Sequence, residues 1–225
     1  MSLLKIQQST KTIFIGADEV GYGCLAGPLV VCGVKAPRDW ALDGLNDSKK
    51  LSEKRREAMR LKLNDLIEKK EIEWHLAERS NVHIDKNGVA FSLKDAFVEV
   101  FTKLYGADCL IISDGILKFD NPSVADYDMV SLIKADAQIP TVMAASILAK
   151  TYRDEKMKIF HQLHPDYNWD SNVGYGSSTH LEAIAKFGPS PLHRFSYAPM
   201  KNMTDASIIL NQNKESINSL NKINL

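Results

Sequence analysis

Residues 12–17, TIFIGA, have no polar face. A strand with water on one side alternates apolar and polar side chains, whereas a strand covered on both sides reads as an unbroken apolar run. This run therefore belongs in the middle of a sheet with helices laid over it, which points to an α/β class. It then meets two adjacent carboxylates, Asp18 and Glu19, followed closely by Gly21, Gly23, Gly27 and Pro28. Strand interiors disfavour Asp, so the strand is expected to end there and the chain to turn.

The remaining pattern fills in the sheet. Leu29–Val34 (LVVCGV) reads as a second strand after the glycine-rich turn, 72–77 as a third, Cys109–Ser113 (CLIIS) as another and Met129–Ile133 (MVSLI) as a further short one. Ser52 can cap a helix running to about Lys70, with Met59, Leu63, Leu66 and Ile67 on one face. Val89, Leu93, Ala96, Phe97, Val100, Phe101 and Leu104 form a broad stripe, so 88–105 is expected as a core-facing helix. Pro140 opens a long helix to about His164, whose Ala144, Ala145, Ser146 and Ala149 suit close approach to a sheet. Thr179 to Glu182 has the capping-box pattern and Gly188-Pro189 is a stop signal, so a short helix is expected between them. Strands that first cluster and then alternate with helices give a mixed sheet, part meander and part βαβ. Residues 201–225 have six Asn and no Gly or Pro and read as a weak helix or frayed tail.

A chain of 225 residues, 44% of them hydrophobic, suits one large domain or a domain with an appendage. The 28 basic and 28 acidic residues cancel, so net charge neither suggests nor excludes a nucleic-acid partner. Local patches are more telling. Leu45 to Lys70 holds nine Lys/Arg against five Asp/Glu, and Asp108 to Asp136 holds six Asp against two Lys. The chemistry is expected between these segments. Cys24, Cys32 and Cys109 show no CxxC spacing, which speaks against a zinc site and for a reduced, cytoplasmic protein. No apolar run reaches membrane length and no signal peptide is visible, so no membrane partner is expected.

Asp18, Glu19, Asp114 and Asp136 share one trait: each lies at or just after the end of an apolar strand. If those strands are neighbours, the carboxylates converge, and like charges that close raise each other's pKa or require a cation. Hard oxygen donors suit Mg2+ or Mn2+ rather than zinc. Two such ions can activate water and stabilise a leaving oxygen in phosphodiester hydrolysis. Taken singly the acids say less. Asp114-Gly115 alone is a common turn, and Asp136 alone serves equally as a loop acid or helix cap. Gly21 and Gly23 have two readings of equal weight, a tight turn into the next strand or a backbone cradle for phosphate. GYGCLAG is not a Walker loop, since no GK[ST] follows.

Five blocks in order, DEVGYGCLAGPLVV, LNDSKKLSEKRRE, ISDG, IKADAQIPTVMAASILAKTYRDEKM and GYGSSTHLEAIAKFGPSPLHRFSYAP, resemble the signature blocks of type 2 ribonuclease H, ribonuclease HII. They reach from about residue 12 to residue 199. The resemblance implies a ribonuclease H-like fold with a five-stranded mixed sheet and helices on both faces, and a catalytic domain over 12–200. It implies endonucleolytic hydrolysis of RNA in RNA/DNA hybrids and incision at ribonucleotides embedded in duplex DNA, leaving 5′-phosphate and 3′-hydroxyl ends. Asp18, Glu19, Asp114 and Asp136 match the catalytic acids that would hold two Mg2+ or Mn2+ ions. Tyr175 matches the tyrosine that stacks on the sugar at the RNA–DNA junction. Asn46, Ser48 and Lys49 match a block that contacts the substrate backbone. His180, His193 and Arg194 match positions on the substrate side, without an assigned role. The expected partners are the hybrid and the ribonucleotide-containing duplex, met by a monomer.

Two places depart from the family pattern. Its first block usually reads Gly-Arg-Gly, where this chain has Gly21-Tyr22-Gly23; in the family that loop contacts the ribose 2′-OH and adjacent phosphate through its backbone. The 2′-OH is what separates RNA from DNA at a site, so Tyr22 sits where substrate preference is set. A contact made by backbone is kept with Tyr22, whereas one that needs the arginine side chain to hold the loop or grip phosphate loses a charge and a fork of donors. SNVHIDKNGVAF also matches poorly, in a segment that feeds the core helix. Two rival readings remain: a hybrid-binding module silenced by the altered loop, and another nuclease with a ribonuclease H-like core, since that fold hosts many functions. The DSKKLS and GPSPLHR blocks favour type 2 ribonuclease H.

Overall fold

A computed structural model describes residues 2–115, 119 and 121–203. The expected tail over 201–225 therefore lies almost wholly outside the described residues. In chain order the elements are α1 (Ser2–Gln8), β1 (Ile13–Val20), β2 (Leu29–Pro37), α2 (Glu53–Glu68), β3 (Glu73–Arg79), α3 (Asn81–Asn87), α4 (Val89–Leu104), β4 (Cys109–Asp114), β5 (Met129–Leu132), α5 (Pro140–Leu163), α6 (Trp169–Asn172) and α7 (Ser178–Phe187). The chain divides into two compact units. One comprises the chain up to Val20 with Val30–Glu78 and Leu93–Arg153; the other comprises Gly21–Leu29, Arg79–Ser92 and the chain from Asp154 onward.

The first unit holds the sheet, with strand order β3-β2-β1-β4-β5. β1 and β2 form an antiparallel pair from Ile13 opposite Pro37 to Val20 opposite Val30. β4 runs parallel to β1, and β5 runs parallel to β4. The five-stranded mixed sheet is thus present, and the fully buried Ile15 and Ala17 sit in its central strand as the unbroken apolar run requires.

Two glycines show what covers each face. A side chain at Gly16 would lie 2.2 Å from the Val142 nitrogen, because the start of α5 rests directly on β1 there. A side chain at Gly33 would strike Val100 and Leu104 of α4. Gly33 lies opposite Ala17, whose side of the strand is the reverse of Gly16's. Helices therefore cover both faces. On the α5 side, Val30, Cys32, Val34 and Ala36 pack with Met59 and Leu63 of α2 and with Ala144, Ala145, Leu148 and Ala149. Ser52 caps α2 as expected, accepting from the Arg55 N–H. Ile6 of α1, which sequence patterning did not find, packs with Phe14, Leu110, Ile112 and Val142.

The second unit has its own core, built on Met157, Phe160, Tyr167, Trp169, Ala183, Ile184 and Leu192. One sequence expectation is corrected here. The cap of α7 is Ser177, which accepts from the His180 N–H, rather than Thr179. The helix starts two residues earlier because Ser177 already has the extended backbone of a cap.

Candidate active site

Parallel strands end on the same side of a sheet, and in open α/β sheets ligands bind outside those carboxyl ends. β1 and β4 are parallel with Ala17 beside Ser113, so Asp18 and Asp114 are the next residues along two adjacent strands. Asp114 in turn lies opposite Leu132 of β5. Its Oδ1 accepts from the Ala135 N–H at 2.7 Å, which ties the end of β4 to the short turn Ala135–Ala137. Asp136 sits in that turn and is buried. The three segments that carry Asp18, Asp114 and Asp136 are therefore neighbours.

The charges respond to one another. Burial pushes the Asp18 carboxyl up to about 6; the Ser146 hydroxyl bond opposes this, while the charges on Asp114 and Asp136 add to it. Burial likewise pushes Glu19 up to about 7, helped by the charges on Asp18 and Asp114. One cation answers them directly. Lys49 Nζ lies 2.8 Å from Asp136 Oδ2, and this bond raises the lysine's pKa. The contact joins the basic and the acidic segment of the sequence.

The loop bearing Lys49 is built by its neighbours. Asn46 Oδ1 accepts from the Asp47 N–H, and Asp47 Oδ1 accepts from the Lys49 N–H. Arg56 donates to the Ser48 and Leu51 carbonyls. Ser48 is buried, its hydroxyl 2.8 Å from that of Ser146. Ser146 thus links the Lys49 loop to Asp18. Sequence reading counted it only as a small residue suited to packing, and a lone serine in an alanine-rich helix gives no stronger signal.

The donor set fits a divalent cation chemically. All four acids offer hard oxygens, and Lys49 pairs directly with Asp136 alone of the four. Among the described residues, however, no three His, Cys, Asp or Glu side chains are gathered closely enough to hold an ion.

Gly21, Tyr22, Gly23 and Tyr175 belong to the second unit. There the Leu25 and Ala26 N–H groups donate to the Gly174 carbonyl, so the first Gly-Tyr-Gly segment is pinned beside the second. Gly174 has φ +87°, and a side chain there would meet the Ala26 carbonyl at 2.6 Å, so glycine is required. Tyr22 and Tyr175 both expose their rings. The three cysteines are buried and form no disulfide among the described residues. Among the described residues no helix is long and apolar enough to cross a membrane.

A five-stranded mixed sheet in the order β3-β2-β1-β4-β5, with helices on both faces, is the architecture of the ribonuclease H-like class. A ribonuclease HII family model matches residues 15–200. Ribonuclease HII of Clostridium acetobutylicum is 38% identical over 196 residues, which cover 85% of this chain and 74% of that protein. Ribonuclease HII of Helicobacter acinonychis is 38% identical over 84% of this chain and 97% of its own length. Among solved structures, the complex of PCNA with RNase HII from Archaeoglobus fulgidus superposes with a TM-score of 0.66 at 25% identity, covering 86% of this chain and 99% of that one. Bst-RNase HIII in complex with Mn2+ shares the fold, with a TM-score of 0.64 at 22% identity over 89% of this chain and 71% of its own. This chain belongs to the ribonuclease HII family, and is a metal-dependent endoribonuclease acting on the RNA of RNA/DNA hybrids.

Proposed function

We propose that this enzyme also incises duplex DNA at single embedded ribonucleotides, and that Asp18, Glu19, Asp114 and Asp136 are its catalytic acids. The observation that carries the assignment is the placement of Asp18 and Asp114 at neighbouring positions on adjacent parallel strands, with Asp136 in the turn that Asp114 holds. Acids that crowd one another in this way make a site for positive charge. Asp18, Glu19, Asp114 and Asp136 would hold two Mg2+ or Mn2+ ions once substrate is bound. When bound, such ions lower the pKa of a water and neutralise charge on the phosphate and leaving oxygen. In the reaction a water oxygen bonds to phosphorus, the bond from phosphorus to O3′ breaks, and O3′ takes up a proton. The products then carry 5′-phosphate and 3′-hydroxyl ends.

The chain's own side chains bind and orient. Lys49, exposed at its tip and tethered to Asp136, places a cation where a substrate phosphate would sit. Asn46 and Ser48 shape the loop that presents it. Tyr175 offers an exposed ring for the sugar at the RNA–DNA junction. The Gly21–Gly23 backbone would meet the ribose 2′-OH. The catalytic domain is taken as 12–200, acting as a monomer in the cytoplasm, a compartment that suits cysteines without disulfides.

Asp18→Asn tests the assignment. It removes the charge and keeps the shape. Cleavage of a labelled hybrid in Mg2+ or Mn2+ is expected to vanish while hybrid binding stays within a few fold. Retained cleavage would refute the assignment.

A further inference from the structure

The Gly21–Gly23 loop is shaped by a side chain far away in sequence. Arg194 is fully buried. A guanidinium carries five N–H donors, and here five bonds use them. Nε donates to the Gly27 carbonyl at 3.1 Å. Nη1 donates to the Tyr22 carbonyl at 2.9 Å and to Tyr197 Oη at 3.3 Å. Nη2 donates to the Gly21 carbonyl at 2.7 Å and again to Gly27 at 3.1 Å. The Tyr197 hydroxyl closes the arrangement by donating to the Tyr22 carbonyl at 3.0 Å. The Tyr22 oxygen thus accepts two bonds.

The geometry has a consequence for the other side of the loop. In a trans peptide the C=O and the following N–H point in opposite directions. With the Gly21 and Tyr22 carbonyls turned onto Arg194, the N–H groups of Tyr22 and Gly23 point away from it. These are two successive donors on the open side of the loop. A side chain at Gly23 would meet nothing within 4 Å, and the Tyr22 side chain is 43% exposed. The orientation of both donors is therefore set from behind, by Arg194 and Tyr197. The residue 22 side chain makes no part of that frame.

We propose that Arg194, with Tyr197, is the positioning residue for ribose discrimination in this enzyme, and that Tyr22 replaces the usual arginine without loss because its side chain does not shape the loop. This inference rests on the reading of the loop as the 2′-OH sensor given above.

The test compares kcat/KM on two substrates, a DNA duplex with one embedded ribonucleotide and a continuous RNA/DNA hybrid. Their ratio is the readout, because partial unfolding lowers both alike. Hydrogen exchange in peptide 21–28 is followed in parallel. Tyr22→Ala is expected to keep the ratio within about two-fold. Arg194→Lys keeps the charge but not the planar fork, and is expected to lower the ratio about ten-fold or more. It should also speed exchange at residues 24–27. Tyr197→Phe removes one hydroxyl, is the milder variant should Arg194→Lys fail to fold, and is expected to lower the ratio about three-fold. A ratio unchanged in whichever of these two variants folds overturns the proposal, as does a collapse of the ratio in Tyr22→Ala. If the unaltered enzyme cleaves the hybrid but not the lone ribonucleotide, the sensor reading falls. Exchange then still decides whether Arg194 holds the loop.

Discussion

The fold requires two touching imidazoles to stay neutral, and this makes the second unit acid-labile. His180 and His193 are fully buried, with their Nε2 atoms 3.0 Å apart. The partners fix where the protons lie. The Tyr175 carbonyl can only accept, so His180 Nδ1 carries a hydrogen. The Ser190 backbone N–H donates to His193 Nδ1 at 2.9 Å, closer than the Ser190 carbonyl at 3.3 Å, so His193 Nδ1 is bare. His193 Nε2–H therefore points at His180 Nε2, whose single lone pair it shares with the Trp169 indole N–H. A second proton on either ring would displace one of these bonds. Burial above all, and then His180, pushes His193 down to about 3. In the unfolded chain a histidine titrates near 6.5. Between the two values the unfolded chain holds a proton that the folded chain lacks, so stability falls as pH falls. The contribution is complete above about pH 6.5 and drains away toward pH 3. Linkage gives a loss of about 2 kcal/mol between pH 7 and pH 5. His180, also pushed down by burial, acts in the same direction. Asp18 and Glu19 act oppositely, since their raised folded-state pKa values let the native protein take up protons first. The difference between two proteins isolates the histidine. Urea denaturation at pH 7, 6 and 5, with chelator present, should show the parent losing about 2 kcal/mol more than His193→Gln over that range. Equal pH slopes would refute the neutral-pair argument.

Two further outcomes follow from specific contacts. Gly16→Ala forces a methyl group onto the backbone of Thr141 and Val142, and should cost about 3 kcal/mol or prevent folding, as read by denaturant midpoint. Lys49→Met should flatten the salt dependence of hybrid binding by about one unit of slope if its exposed ammonium meets one phosphate; an unchanged slope would place that contact elsewhere.

The sheet was legible because burial on both faces leaves an unbroken apolar run. TIFIGA, LVVCGV and CLIIS all became core strands, and the stripe from Leu93 to Leu104 became the buried face of α4. Short polar-faced elements were harder to see. α3 has a capping serine at Ser80 but only Ile84 as a buried apolar residue, too little to form a periodic pattern. The acids were readable as strand-end residues, whereas Ser146 and Arg194 were not readable as parts of a site. Their importance lies in partners 98 and 172 positions away, Ser48 and Tyr22, and no local period encodes such distances. The Tyr22 departure looked like a lost guanidinium in sequence. In space a different guanidinium already holds that loop's carbonyls.

The adjacent pair Asp18-Glu19 shows how position along a strand decides what two acids can do. Successive side chains on a strand point to opposite faces. Asp18 shares the side of Gly16, under α5, and accordingly meets the Ser146 hydroxyl of that helix. Glu19 shares the side of Ala17, which lies opposite Gly33 and so belongs to the face covered by α4. Two residues earlier, the same pair would have driven one carboxylate into each apolar layer, and neither could have met the other's partners. At the end of β1 the covering is incomplete, Glu19 is only half-buried, and it still feels Asp18, Asp114 and Lys49. The opposed directions also account for the lack of a ready-gathered trio of ligands among the described residues. Asp18 is held by Ser146 and Asp136 by Lys49, so a cation bound by these acids as proposed would compete with Lys49 for Asp136.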